Sequence, residues 1–280
     1  MNRKHLIAAL PLAAVLICQA DVLRDLVLRW WDDPNYSHGF FVPLFSLYFL
    51  HENRAKLAAI PWHGSLAGVP IILLAAMMKA ASHLLLSPYL AGVSLIVTLA
   101  GVVVFCWGWR MMRNVWVPVA FLVLMLPLPQ PAYEALSLPL QRFAAIFATA
   151  VLQSVGIPVI REGNVIHFAG KSLEVAEACS GMRLLVGFIA MGIAAAYLSH
   201  RPLWHKACLV ASTFPIAILA NAVRVAGTGI LYHSVSERLA EGFFHAFSGW
   251  LLFVIALGLL AMESYLLRKI STPSNGRAAG

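Results

Sequence analysis

Three short motifs carry the residue types that could do chemistry: EACSGMR at 177–183, NAVR at 221–224 and HAFSG at 245–249. They supply a thiol (Cys179), a cation (Arg224) and an imidazole (His245), the groups needed for nucleophilic attack on a carbonyl, oxyanion stabilisation and proton transfer to a leaving amine. A free thiol with a pKa of about 8.5 is only a few per cent thiolate at neutral pH. A helix N-terminus with Arg or His⁺ beside it can bring that value down to roughly 3.5–7.5. A helix starting near Ala178 would do this, putting Ser180 in its first turn and pairing Cys179 with Arg183 at i, i+4. Asn221 and Arg224, at i and i+3, share one helix face.

Each residue also has a plainer reading. Cys commonly behaves as a small hydrophobe, Arg224 could snorkel to a membrane interface, and His245 beside Phe243 and Phe244 fits an interfacial aromatic belt. Gly249 suits ordinary helix packing as well as it suits close approach of a substrate helix. Glu174 and Glu177 flank the thiol, where a carboxylate would raise its pKa. They could instead pair with Arg183 or Arg224, or touch substrate.

The elements that must position these residues are membrane helices. Of the 280 residues, 61% are hydrophobic and 11% charged, against about 25% charged in a soluble domain. The expected fold is an all-α polytopic membrane protein, one multi-spanning domain over 1–270 with a disordered cytoplasmic tail at 271–280. Eight apolar runs stand out, at 6–20, 39–51, 66–86, 89–109, 115–128, 182–199, 207–223 and 246–266. The first also fits a cleaved signal peptide; it is read as a retained helix because Cys18 and Ala20 make a mediocre cleavage site. The net charge of +8 is spread as short pairs between apolar runs, so membrane orientation explains it better than nucleic acid does.

Arg3/Lys4, Arg54/Lys56, Arg110/Arg113, Arg201/Lys206 and Arg268/Lys269/Arg277 would all fall on the cytoplasmic side under the positive-inside rule. The segment 129–181 is then extracytoplasmic. Its helical part, 133–155, is expected to be interfacial or re-entrant, because Gln141 and Arg142 interrupt it and Tyr133, Leu136, Leu140, Phe143, Phe147 and Val151 form an apolar stripe. Gly-containing breaks at Glu162-Gly163-Asn164 and Ala169-Gly170-Lys171 predict a small strand meander leading to Cys179. With this topology Cys179, the Asn221/Arg224 pair and His245 all reach the outer face. A cation within ILANAVRVAGTGI costs a few kcal/mol unless it faces a cavity or a partner.

These motifs, in this order, together with DDPNYSHGFFVPLFSLYFLHENR at 32–54, resemble the exosortase/archaeosortase family, whose members are multi-spanning cysteine transpeptidases. The resemblance covers nearly the whole chain. It implies Cys179 as nucleophile with Arg224 and His245 as partners; the residues themselves make Glu177, Ser180, Arg183, Asn221, His38 and Gly249 candidate supporting or substrate-binding positions, with an interfacial structural role the alternative for His38. Archaeal relatives tend to have Arg where this chain has His245, so the match is to the bacterial branch and implies the bacterial inner membrane, with the active site on the outer side. The implied substrates are exported proteins ending in a short motif, often Pro-Glu-Pro, then a transmembrane helix and a basic tail. Membrane lipids surround the enzyme, and a lipid or polysaccharide amine is the implied acceptor. No cofactor or metal is expected: the ten His are scattered without HExxH, and CxxC and a glycine-rich phosphate loop are missing. A transporter or polymer-export subunit, with the same polar residues lining a path, is the alternative, and an inert assembly scaffold a further one.

Overall fold

The computed structural model describes residues 3–175, 181–199, 201–234 and 243–271. Two compact units, Met1–Ala132 and Tyr133–Gly280, make up the chain.

In the first unit, α1 (Arg3–Cys18) and α2 (Ala20–Asp32) meet at Gln19, whose amide donates to Thr98 Oγ1 at 3.0 Å. Lys79 closes the same junction: its ammonium donates to the Cys18 carbonyl at 2.7 Å and to Asp21 at 2.6 Å. It thereby satisfies a carbonyl that the end of α1 leaves without a helical partner. Val22, Leu26 and Trp30, four apart, form the buried face of α2. The Trp30 indole N–H donates to the Met125 carbonyl at 2.9 Å. A 3-10 segment, Pro34–Phe40, starts where Asp33 accepts from the Asn35 N–H, and leads into α3 (Phe41–Glu52) and the short α4 (Arg54–Ala58).

Next come α5 (Gly68–Leu84) and α6 (Pro88–Phe121). α6 is not one rod. Gly108 has φ 84° and ψ 176°, and a Cβ there would meet the His63 carbonyl. A straight helix would hold positions 92 and 126 about 50 Å apart, yet a Cβ on Gly92 would touch the Leu126 side chain. The chain therefore doubles back, and the apolar stretch 88–125 is two antiparallel arms, where the hydropathy places separate runs at 89–109 and 115–128.

Among the described residues, three helical stretches are long and apolar enough to cross a membrane: Pro88–Met125, Gln130–Ser154 and Leu203–Ser234. Shorter apolar helices occupy Gly68–Leu84, Met182–Leu198 and Val254–Leu267. The expected run at 39–51 becomes α3, whose 12 residues rise about 18 Å, short of a hydrocarbon core of about 30 Å. The fold is thus a mostly helical membrane protein with a small sheet.

In the second unit α7 (Gln130–Ser154, all but its first three residues) precedes β1 (Ile160–Glu162), β2 (Val165–Phe168) and β3 (Lys171–Glu174). The strands form an antiparallel meander in the order β1-β2-β3, with Glu162 paired to Val165 and Phe168 to Lys171. Both two-residue turns use a glycine at positive φ, Gly163 at 60° and Gly170 at 82°. The meander and both of its breaks lie where the sequence puts them.

α7 differs from the expected helix. Its buried face is Tyr133, Ser137, Gln141, Ala144, Ala145, Ala148 and Leu152, while Leu136 and Phe143, members of the apolar stripe in the sequence, are exposed. Small and polar residues turn inward and large apolar ones outward, which is the arrangement of a helix packed in lipid, where closely approaching backbones favour small side chains. Gln141 does not interrupt the helix but belongs to its packed face, and Gln130–Ser154 is long and apolar enough to cross a membrane.

α8 (Met182–Leu198), α9 (Leu203–Ser234) and α10 (Phe243–Ser271) complete the unit. Gly181 lies against Asn221 and Gly192 against Thr213, so α8 runs antiparallel to α9. The second half of α7 and the last third of α9 converge on the meander: Ala148, Leu152, Ile166, Phe168, Leu173, Val175, Val225 and Tyr232 share one core. Leu260 of α10 packs with Leu209 and Ala196. Ser234 lies about 38 Å beyond Leu209 along α9, and the nine steps from Ser234 to Phe243 reach at most about 32 Å. α10 therefore begins at the meander end of α9 and runs back along it.

Candidate functional site

The site is built at the meander end of the second unit. α9 supplies part of it through a buried stripe that steps by four along the helix, Leu209, Thr213, Ala217, Asn221, Val225. Up to Ala217 the stripe is mostly apolar packing; beyond it come Asn221, Arg224, Thr228 and Tyr232, all buried. Arg224 is 8% exposed, so this guanidinium faces the interior rather than snorkelling to the surface. Its own carbonyl accepts from the Thr228 hydroxyl at 2.9 Å.

Asn221 is 3% exposed and covers the start of α8. Gly181 is the N-cap of α8 and is left-handed, φ 76°, and a Cβ there would come within 2.7 Å of the Asn221 carboxamide carbon. Only glycine lets the chain enter α8 beneath that side chain. Gly181, Leu185, Ala217, Ile218 and Asn221, with Leu140 of α7, line a small pocket.

The first helical residue of α8 is Met182, and this corrects one expectation. Cys179 and Arg183 are not an i, i+4 pair on one helix, because the left-handed Gly181 stands between them. Arg183 is exposed while Arg224 is buried, so of the two cations Arg224 is the one held in the interior. Cys179, Glu177 and Ser180 lie outside the described residues, and at His245 and Gly249 only the helical backbone is described. Chain connectivity limits where they stand. Cys179 is two residues before Gly181 and four after Val175, both buried. Fifteen residues back along α10 from Leu260 is position 245, and fifteen on along α9 from Leu209 is 224, so the antiparallel pair brings the backbone of 245 about level with Arg224.

Three further contacts hold the strand that leads to Cys179. Tyr232 donates its hydroxyl proton to the Ser172 carbonyl at 3.2 Å, and the Lys171 ammonium lies 5.2 Å from the Tyr232 ring centre. Val175 donates its N–H to the Asn164 carbonyl at 2.9 Å, extending β3 toward the site. Sequence reasoning missed Tyr232, Asn164 and Gln141; Asn164 was visible only as a turn residue and Gln141 only as a polar break in an apolar run.

His38 belongs to the first unit, where its Nε2 lies 3.0 Å from the Leu124 carbonyl. This contact ties the 3-10 segment Pro34–Phe40 to the 3-10 turn Leu122–Met125 that follows α6.

Among the described residues, a left-handed glycine enters the N-terminus of α8 beneath a buried carboxamide, with a buried guanidinium one turn further along α9. Against known families, the profile described as transmembrane exosortase matches residues 30–262. The chain belongs to the transmembrane exosortase family. The match takes in every motif above, including the 3-10 segment with His38 and most of α10. No curated protein and no solved structure matches this exosortase-family chain.

Proposed function

We propose that this membrane protein is a cysteine transpeptidase that cleaves the carboxy-terminal sorting signal of exported proteins and passes them to a cell-surface acceptor. The observation that carries the reading is the buried Arg224, one turn from the Asn221 that covers Gly181, on a helix whose end anchors the strand before Cys179. A guanidinium held in the interior has the charge and the donors that would stabilise a tetrahedral oxyanion.

In this reading the Cys179 thiolate attacks the carbonyl of the scissile peptide and Arg224 stabilises the oxyanion. The C–N bond breaks as His245, protonated, gives its proton to the departing amine, leaving a thioester on Cys179. The amine of a lipid or surface polymer then attacks the thioester, His245 takes up its proton, and Cys179 leaves as thiolate. The substrate's own helix docks between spans, and the site opens to the outer face of the bacterial inner membrane. Membership of the exosortase family supports this chemistry, and the level backbones of 224 and 245 agree with it.

The test is co-expression with a secreted protein from the same genome that ends in a short motif, one apolar helix and a basic tail. Cys179→Ala should abolish processing while leaving the chain in the membrane, and Cys179→Ser should leave no thioester that hydroxylamine releases. Unimpaired processing by Cys179→Ala would falsify the nucleophile assignment. Reporter fusions after Lys171 and Arg238 test the sidedness, a cytoplasmic signal at either position overturning it.

A further inference from the structure

Gln141 and Asn164 share a side-chain hydrogen bond that the reaction above does not use. The Asn164 amide donates to Gln141 Oε1 at 2.9 Å, from the β1–β2 turn to the packed face of α7. Gln141 is 5% exposed. A buried carboxamide costs free energy unless it is hydrogen-bonded, so an aliphatic residue would serve packing alone as well. The same Asn164 accepts the Val175 N–H through its main chain at 2.9 Å, just past the β3 ladder and four residues before Cys179. One turn residue thus ties α7 to the exit of the strand that precedes Cys179 in the chain.

We infer that Gln141 and Asn164 are positioning residues for Cys179, setting where the thiol segment leaves the meander. The inference rests on Cys179 being the nucleophile. Tyr232 fixes the other end of β3 from α9, the helix of Arg224, so the strand is held at Ser172 by the cation's helix and at Val175, through Asn164, by α7. Releasing the second hold lets the thiol move relative to Arg224, and a displacement of about 1 Å can cost roughly 10²-fold in rate. Neither residue needs to touch substrate, so the loss falls on kcat rather than KM.

The experiment uses the full-length chain in membranes with the co-expressed sorting-signal substrate. Asn164→Ala and Gln141→Leu should each lower kcat about 10-fold or more, with KM changed less than about 2-fold. Asn164→Asp should stay within about 3-fold of the parent, because the Gln141 amide can turn and donate to the carboxylate. The exchange Gln141→Asn with Asn164→Gln keeps the combined side-chain length and should recover most of the loss. In a chain whose other three cysteines are alanine, Asn164→Ala should also shift the pH midpoint of Cys179 alkylation by N-ethylmaleimide, and Asn164→Asp should not.

Unchanged kcat and alkylation midpoint in Asn164→Ala would overturn the inference, as would equal losses in Asn164→Ala and Asn164→Asp with unaltered thermal melting. If Cys179→Ala itself still processes substrate, the proposed nucleophile fails instead, and the two failures are told apart by that one variant.

Discussion

Gly181 and Asn221 are packed so closely that the helix carrying Arg224 dictates the backbone two residues after Cys179. A Cβ at 181 would come within 2.7 Å of Asn221, and the φ of 76° is one that side-chain-bearing residues avoid. Gly181→Ala should therefore cost about 1–2 kcal/mol of backbone strain plus displacement of Asn221. Processing should fall sharply. Adding Asn221→Ala removes the clash but not the strain, so the double variant should recover only in part. Substrate processing and thermal melting of the single and double variants measure the coupling.

Arg224 separates a catalytic from a structural cation. Arg224→Met is expected to lower processing about 10²–10³-fold, the range seen when an oxyanion donor is lost. Membrane insertion should be unaffected or better, since a charge leaves an apolar helix. Arg224→Lys should fall between, because an ammonium keeps the charge but not the planar fork. Processing assays beside topology reporters distinguish loss of chemistry from loss of fold.

The doubling back of α6 depends on Gly108, with φ 84° and no room for a Cβ beside the His63 carbonyl. Gly108→Ala should destabilise the first unit by about 1–3 kcal/mol, the usual scale for a residue forced into a sparsely populated backbone region. A lowered melting temperature in detergent would show it; an unchanged one would mean that the turn tolerates a side chain.

The Lys79–Asp21 pair gives a pH dependence. The hydrogen bond from Lys79 holds the Asp21 carboxyl below the usual carboxylate range. A depressed folded-state pKa stabilises above the unfolded value and loses that contribution as pH falls through the folded one. Asp21 is 50% exposed and Lys79 22%, so the effect should stay below about 1 kcal/mol. Asp21→Asn should lower the melting temperature slightly at neutral pH, and the difference should vanish in acid below the carboxylate range. A difference that persists there would show that packing, not charge, links α1, α2 and α5.

Local chemistry made part of this protein readable from its residues. Composition and apolar runs announce a membrane protein, because each lipid-embedded helix satisfies its own backbone and shows its hydropathy directly. The meander was legible because Gly163 and Gly170 mark positive-φ turns between β-branched runs. The order of EACSGMR, NAVR and HAFSG carried the family. What the sequence could not express was which face of a helix is inward. In lipid the usual rule that large apolar residues point in does not hold, so Leu136 and Phe143 turn outward while Gln141 and Ala144 pack. Nor could it show the start of α8 at Met182, which follows from Gly181 lying beneath Asn221, 40 residues away in sequence. The bond of Asn164 to Gln141 joins a turn to a helix 23 residues apart, and only the folded chain brings two such carboxamides together. Residue types and their order name the chemistry on offer; the distances between partners remote in sequence are set by packing alone.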